Sequence, residues 1–426
     1  MTRLKVLVSA YACSPERGSE PAVGWGFVSA LRKFHDLWVI VEEEKFRSDI
    51  ERHLSGNPEA GIGVKFFFLR KTRNRTLRRI WPPSYYWYLR AWHREAFALA
   101  ARLHAEVGFD LAHQLTMVGF REPGDLWKLG IPFVWGPVGG MGGFPWRFLG
   151  VEGLRSAAYY TAYNLINAVH TRFLRRPRKA ALAAGTGLIA ATPENQAGAM
   201  QHWGCASTLL PEVGLPAGSA PSRRARHPGE PLRIVWCGRH VDLKALSLGL
   251  RALAGVPGNI PWHLDILGTG PRTRPWTKLA SSLGISDRCR FLGWLPRDRV
   301  LGTMAEAHLM LITSLRDLTS TVTVEALAAG LPVVCPDHCG FSAAVTDACG
   351  IRVPIRTPRQ FVAALRDALT SLALDEPRRA ALARGALEQA AAFSWDAKAA
   401  GIDAIYRRRI RVAVAPAGQG EPGACP

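Results

Sequence analysis

The chain has 426 residues, is 48% hydrophobic and carries a formal charge of +20 with a pI near 10.2. Such a composition excludes a disordered chain; the length predicts two or three domains, and the charge predicts anionic partners such as phosphates, nucleic acid or an acidic membrane surface. Eight cysteines in mostly apolar contexts exclude a disulfide scaffold, and no apolar run reaches the ~18–20 residues of a membrane-spanning helix.

In chain order, "LKVLVSA" (4–10) reads as a first buried strand, because the apolar run stops too soon for a signal peptide. The turn-rich "YACSPERGSEP" follows, then a helix "AVGWGFVSALRKF" that Ser19 can cap. Further strands are expected at 36–42, 64–69, 110–115, 132–136 and 187–192. The segment "GLPAGSAPSRRARHPGEP" (214–231) has the composition of a linker. A second beginning follows at "LRIVWCG" (232–238), then a helix "KALSLGLRALAG" stopped by Gly255. Strands are expected at 263–268, 288–294, 309–314 and 332–336. Continuous apolar strands alternating with helices predict parallel sheets covered on both faces. The expected fold class is therefore α/β, with two doubly wound domains and a cleft between them. The final "APAGQGEPGACP" (415–426) reads as a flexible end.

Ligands of open parallel sheets lie beyond the carboxyl ends of the strands, so residues just after each strand carry the functional information. In "SLRDLTSTVTVEALAAGLPVV" (314–334), Asp317 falls in a strand-to-helix turn and Thr319, Ser320 and Thr321 can cap the helix that follows. Free N–H groups there suit a phosphate or sugar oxygen. Glu325 lies one turn into a helix that is apolar nearly all round, and a helical side chain leans toward the N-terminus. A buried carboxylate needs hydrogen-bond donors; a ribose diol supplies two, and a neighbouring amide or Arg316 are the alternatives that spacing leaves open. In "CGRHVDLKALSLGL", Gly238 and Arg239 end a strand and Lys244 opens a helix, where a lysine opposes the macrodipole unless an anion is bound. The turns "LGTGP", with Gly268 and Gly270, and "FLGWL", with Trp294, are strand-end turns that read equally as plain tight turns. Gly18 in "RGSEPAVGWG", and Gly139 and Gly140 in "GPVGGMGGFP", allow close approach of a ligand or a mobile loop. His113 ends a strand, as an acceptor ligand or as a satisfied core residue.

Basic and aromatic residues mingle, without an acid, in 70–94, and "RFLRRPRK" (172–179) is a second basic patch. Both suit an anionic membrane interface, single-stranded nucleic acid or a solvated face. The P-loop, H-E-x-x-H, G-x-S-x-G and paired C-x-x-C motifs are absent, and "CPDHC" (335–339) has no second pair to complete a metal site.

Together these motifs resemble the family-4 retaining glycosyltransferases of the GT-B fold, most specifically in the second half. "CGRHVDLK" looks like the family's G-R-x(4)-K element; "LDILGTGP", "RCRFLGWLP" and "EALAAGLPVVCPDHCG" look like its consecutive blocks; Asp317 and Glu325 look like its paired acids. The first half resembles a subgroup associated with cell-surface polysaccharide assembly. The resemblance implies two Rossmann-like domains, 1–215 for the acceptor and 216–392 for the nucleotide sugar, a helix at 393–410 that crosses back onto the first domain, and a tail at 411–426. It implies Arg239 and Lys244 on the donor diphosphate, Asp317 on the sugar and Glu325 on the ribose. Gly238, Thr319, Ser320, Thr321, Gly268, Gly270, Trp294 and Gly18 would line the donor site, and His113, Gly139 and Gly140 the acceptor site. Expected partners are a nucleotide-diphosphate sugar and a glycan or lipid-linked acceptor, with no metal, no other cofactor and no nucleic acid. The expected location is cytoplasmic, peripheral on the membrane's inner face. Three departures stand out: Asp317 is one methylene shorter than the family's Glu, "LTSTVTV" between the acids has no glycine, and "VWGPVGG" lacks the histidine many members carry there. The alternatives are a sugar-nucleotide epimerase or glycan phosphorylase on the same fold, or a non-enzymatic binder of anionic polymers.

Overall fold

The computed structural model describes residues 2–72, 75–81, 83–216, 226–227 and 229–414. Contacts divide it into two compact units. The first comprises Met1–Met141, Val169–Gly214 and the chain from Trp395; the second comprises Gly142–Ala168 and Leu215–Ser394.

The first unit holds seven strands: β1 (Lys5–Ser9), β2 (Asp36–Glu42), β3 (Val64–Leu69), β4 (Leu111–Gln114), β5 (Phe133–Val138), β6 (Leu188–Ala190) and β7 (Thr208–Leu209). They form one parallel sheet in the order β3-β2-β1-β4-β5-β6-β7. The second holds β8 (Leu232–Cys237), β9 (Trp262–Leu267), β10 (Cys289–Gly293), β11 (Leu309–Leu311), β12 (Val333–Pro336) and β13 (Gly350–Val353), parallel in the order β10-β9-β8-β11-β12-β13. Each unit is thus Rossmann-like. The two-residue β7 and the strand β13, with its arginine, carried too little apolar signal to be expected. Two separate cores result, one around Val6, Val39, Trp92 and Trp135 and the other around Ile234, Leu264, Leu309 and Phe361.

The helix Trp395–Val414 belongs to the first unit, where Ile402, Ile405 and Tyr406 are buried in its core. Trp395 lies so close to Gly26 and Gly214 that a Cβ on either would meet its ring at 2.2 and 2.6 Å. Residues 411–414, expected to begin the tail, continue this helix, and 415–426 lie outside the described residues. So does most of the linker at 214–231.

Two expectations need correction. The sequence reading kept 1–215 together, but Gly142–Ala168 is built into the second unit. Its apolar residues Phe144, Phe148 and Tyr160 join the second core, Phe144 stacking on Tyr160 at 4.1 Å. Ser19 precedes the helix Glu20–Leu31 but makes no side-chain cap; its φ of 61° turns the chain instead, and the Glu20 carboxylate accepts from the Val118 amide at 2.6 Å. The seven described cysteines are all free thiols.

Candidate functional site

In both sheets the strand order reverses beside the first strand of the unit, and the loops after the two central strands diverge there. Such a switch point is where doubly wound sheets hold their ligands. In the second unit the switch lies between β8 and β11. Lys244 follows β8, Asp317 follows β11, and the Lys244 Nζ donates to the Asp317 carboxylate. Their side chains are 14% and 24% exposed, so the pair remains open to solvent on one side. Leu315 donates its amide to the Leu243 carbonyl at 2.8 Å, and the Thr313 hydroxyl donates to the Lys244 carbonyl at 2.7 Å. The two loops are therefore stitched through the backbone.

Lys244 is not in the first turn of an α-helix, as the sequence reading had it. It closes a 3-10 turn, Asp242–Lys244, and the helix begins at Leu246. Its counter-charge is Asp317 rather than a helix terminus. The second Asp317 oxygen accepts from the Leu318 amide at 2.9 Å, and the Asp317 amide donates to the Cys339 sulfur at 3.3 Å. Arg239 lies exposed on the loop after β8 and, among the described residues, forms no ion pair.

The helix Thr321–Ala328 follows. Ser320 occupies the N-cap position with φ 67°, and its side chain does not cap the first turn as the sequence suggested. Thr319 is fully buried, and its carbonyl accepts from the Thr323 hydroxyl at 3.1 Å. A helix start carries the partial positive charge that suits an oxyanion.

Glu325 is 7% exposed. Burial pushes its carboxyl above the usual range, and Arg297 pulls it back. Arg297 donates to Glu325 Oε1 from Nε at 3.0 Å and from a terminal nitrogen at 2.9 Å. The partner is therefore Arg297, 28 residues upstream, and not Arg316, which the sequence had left open. Arg316 instead donates to the Tyr163 hydroxyl at 2.5 Å.

The glycines at these strand ends serve close backbone packing. A Cβ on Gly268, at φ 111°, would meet the Gly238 carbonyl oxygen at 2.0 Å, and one on Gly270 would meet the His240 carbonyl oxygen at 2.4 Å. The Gly238 amide donates to Leu267, that of Gly268 to Gly293, and that of Gly270 to the Thr273 hydroxyl. These amides, expected to face a donor, are already engaged in the fold. Trp294 stands after β10, 73% exposed. Gly18 is exposed, in the first unit, with open space around it.

In the first unit His113 is a framework residue, which corrects its expected acceptor role. It is fully buried; Nε2 lies 2.8 Å from the Gly136 carbonyl oxygen and Nδ1 2.6 Å from the Tyr406 hydroxyl. The carbonyl can only accept, so Nε2 carries the proton and Nδ1 accepts from Tyr406. Neither nitrogen is left for a ligand, and burial lowers the His113 pKa to about 4. Gly139 is likewise engaged: its amide donates to Val118 and its carbonyl accepts from Phe120. Gly140 turns at φ 87° and is half-buried.

Sequence reasoning missed Arg297, because a pair this distant leaves no local signal. It also read 70–94 as one surface. Lys71 is in fact buried, its Nζ 3.2 Å from the Tyr11 hydroxyl and 4.0 Å from the centre of the Tyr85 ring. The rest of that run is exposed at Arg78, Arg79, Ile80, Trp81 and Trp87, with Trp81 and Trp87 edge to face at 4.3 Å. Among the described residues no helix is long and apolar enough to cross a membrane.

Residues 221–388 match the family model described as "Glycosyl transferases group 1". A D-inositol 3-phosphate glycosyltransferase of Corynebacterium kroppenstedtii is 32% identical over 204 residues, 45% of this chain and 44% of that protein. One of the same description from Thermobifida fusca is 30% identical over 254 residues, covering 54% and 57%. The chain thus spans about half the length of the curated relatives it matches. Among solved structures, sucrose-phosphate synthase from Thermosynechococcus elongatus superposes with a TM-score of 0.60 at 16% identity, over 96% of this chain and all of that one. Anabaena HepE in complex with UDP gives 0.54 at 14% identity, over 96% and 99%. At these identities the likeness is one of fold. The chain has the GT-B fold, and its residues 221–388 carry the sequence pattern of the group 1 glycosyl transferases.

Proposed function

We propose that the protein is a retaining glycosyltransferase that moves a sugar from a nucleotide-diphosphate donor to a hydroxyl of a glycan or lipid-linked glycan, in surface polysaccharide synthesis. The observation that carries this reading is the Lys244–Asp317 pair at the switch point of the second sheet, shortly before the helix Thr321–Ala328. UDP bound to HepE, a protein of like fold, supports a nucleotide-diphosphate donor.

As the sugar C1–O bond breaks, negative charge collects on the leaving diphosphate. Lys244, Arg239 and the amides at Ser320–Thr321 would neutralise it, in the positions a metal would otherwise take. Lys244 must then leave Asp317, which frees the carboxylate to accept from a sugar hydroxyl; Glu325 would accept from the ribose. No metal is needed in this scheme. The exposed Trp81 and Trp87 beside Arg78 and Arg79, and the basic residues of 172–179, would rest on the anionic inner face of the cytoplasmic membrane, where a lipid-linked acceptor is found.

A panel of nucleotide sugars in thermal-shift and calorimetric titrations tests the reading. A donor at 100 times its Kd should add about 2.7 kcal/mol of stability. If no member of a broad panel shifts the folded protein or releases heat, the reading is wrong.

A further inference from the structure

The segment Gly142–Ala168 comes from the first half of the sequence but is part of the second unit. Asn164 clasps Phe144 through two hydrogen bonds of 2.8 Å, which close the segment on itself, and Phe148 packs edge to face on Phe361 at 5.9 Å, which holds it to the rest of the unit. Two of its polar side chains reach the chain beside Lys244 and Asp317.

Glu152, with a 5% exposed side chain, accepts from the Ser247 hydroxyl and from the Trp276 indole at 3.2 Å. Its backbone carbonyl accepts from Arg272, and Arg272 also binds Asp242, two residues before Lys244. Tyr163 accepts from Arg316, one residue before Asp317, whose guanidinium also lies 4.1 Å from the Tyr163 ring centre. A buried carboxylate is costly unless its donors are in place. Glu152 has them, so this contact is specific and not a by-product of apolar packing.

We propose that Gly142–Ala168 is a brace that sets the spacing of Lys244 and Asp317, with Glu152 and Tyr163 as positioning residues for the nucleotide-diphosphate donor. This rests on the proposed function for its ligand but not for its mechanics. The brace reaches Arg316 and Ser247 directly and Asp242 through Arg272, and makes no use of the pair's own charged atoms. It leaves Lys244 and Asp317 free to exchange partners while their loops stay in place.

The test uses Tyr163→Phe and Glu152→Gln in the full chain. The phenylalanine keeps the ring and its packing and removes only the hydroxyl, and Gln keeps the shape of Glu. Hydrogen exchange of the amides at 242–245 and 315–318 is read without ligand, and UDP affinity and the donor KM against kcat are read with it. The expected result is faster exchange at these positions, with UDP affinity weakened and donor KM raised about 3- to 10-fold, as for loss of one hydrogen bond. The acceptor KM and the melting temperature should stay near those of the parent, and Glu152→Gln should fall short of the effect of Glu152→Ala. Unchanged exchange and unchanged donor KM overturn the brace. So does a loss of melting temperature with no change in either. Faster exchange in a protein that binds no nucleotide at all keeps the brace and overturns the function proposed for it.

Discussion

Lys244 and Asp317 neutralise each other, although they come from loops 73 residues apart in sequence. On the proposed function, a donor has to open this pair to reach Lys244. Lys244→Met should therefore cost both binding and turnover: the diphosphate loses its cation, and a loss of about 100- to 1,000-fold in kcat/KM is expected, the scale seen when one preorganised donor is removed from a developing anion. Asp317→Asn should behave differently. It leaves Lys244 unpaired and ready for phosphate, so UDP affinity should hold or rise while transfer falls. Calorimetry with UDP beside a transfer assay separates the two outcomes.

Glu325 must be ionised to accept from a ribose diol, and burial already holds its pKa above the ordinary value while Arg297 works the other way. Arg297→Ala removes that opposing charge, so the folded pKa rises further. Donor affinity should then begin to fall at a higher pH in the variant than in the parent as the solution is acidified. Glu325→Gln should weaken donor binding by about 10- to 100-fold, the range for a hydrogen bond to a charged group. A binder of anionic polymers would be indifferent to it.

His93 and His113 are buried and neutral, with pKa values lowered to about 3 and about 4 from an ordinary 6.5 by burial. The unfolded chain takes up protons at these residues near pH 6.5 while the folded chain does not. Stability is thus fully present above that pH and is lost as pH falls from about 6.5 towards about 4. Each histidine contributes a slope of up to about 1.4 kcal/mol per pH unit. Urea titrations across this window should show the loss, and His113→Gln should flatten the slope whatever its effect on absolute stability.

Gly268→Ala should be among the most damaging single-methyl changes in the second unit. The added Cβ meets a carbonyl oxygen at 2.0 Å, and the φ of 111° is foreign to alanine. A loss of about 2–3 kcal/mol is expected in chemical denaturation. Gly18→Ala, with open space around it, serves as the control.

Vesicle flotation tests the membrane reading. The protein should bind anionic vesicles at low salt and release them as salt rises, because the attraction is screened. Trp87→Ser combined with Arg79→Glu should reduce binding. Equal, weak binding to neutral and anionic vesicles would remove the membrane from the proposal.

The sheets were legible because continuous runs such as "IVWC" and "VLVS" leave few alternatives to a buried strand, and Asp317 and Lys244 stand in the loops that follow such runs. Their contact with one another follows from strand order, which no local pattern encodes. Which of the two readings of His113 holds, and what engages the backbone of Gly139, were illegible for a related reason. Each looked exposed to a ligand by position, while its actual partners, Tyr406 and Val118–Phe120, are supplied by segments remote in sequence or by an irregular strand extension. The strand-end glycines were noticed, but the carbonyls that demand them were invisible.

The threading of Gly142–Ala168 into the second unit has a practical corollary. No single scission divides this polypeptide into its two parts. Cleavage after residue 215 leaves an amino-terminal piece that lacks Tyr406 and carries Phe148 without Phe361, and a carboxy-terminal piece missing the segment its core needs. Chimaeras with related enzymes should accordingly be joined at four seams, near 141, 168, 214 and 394.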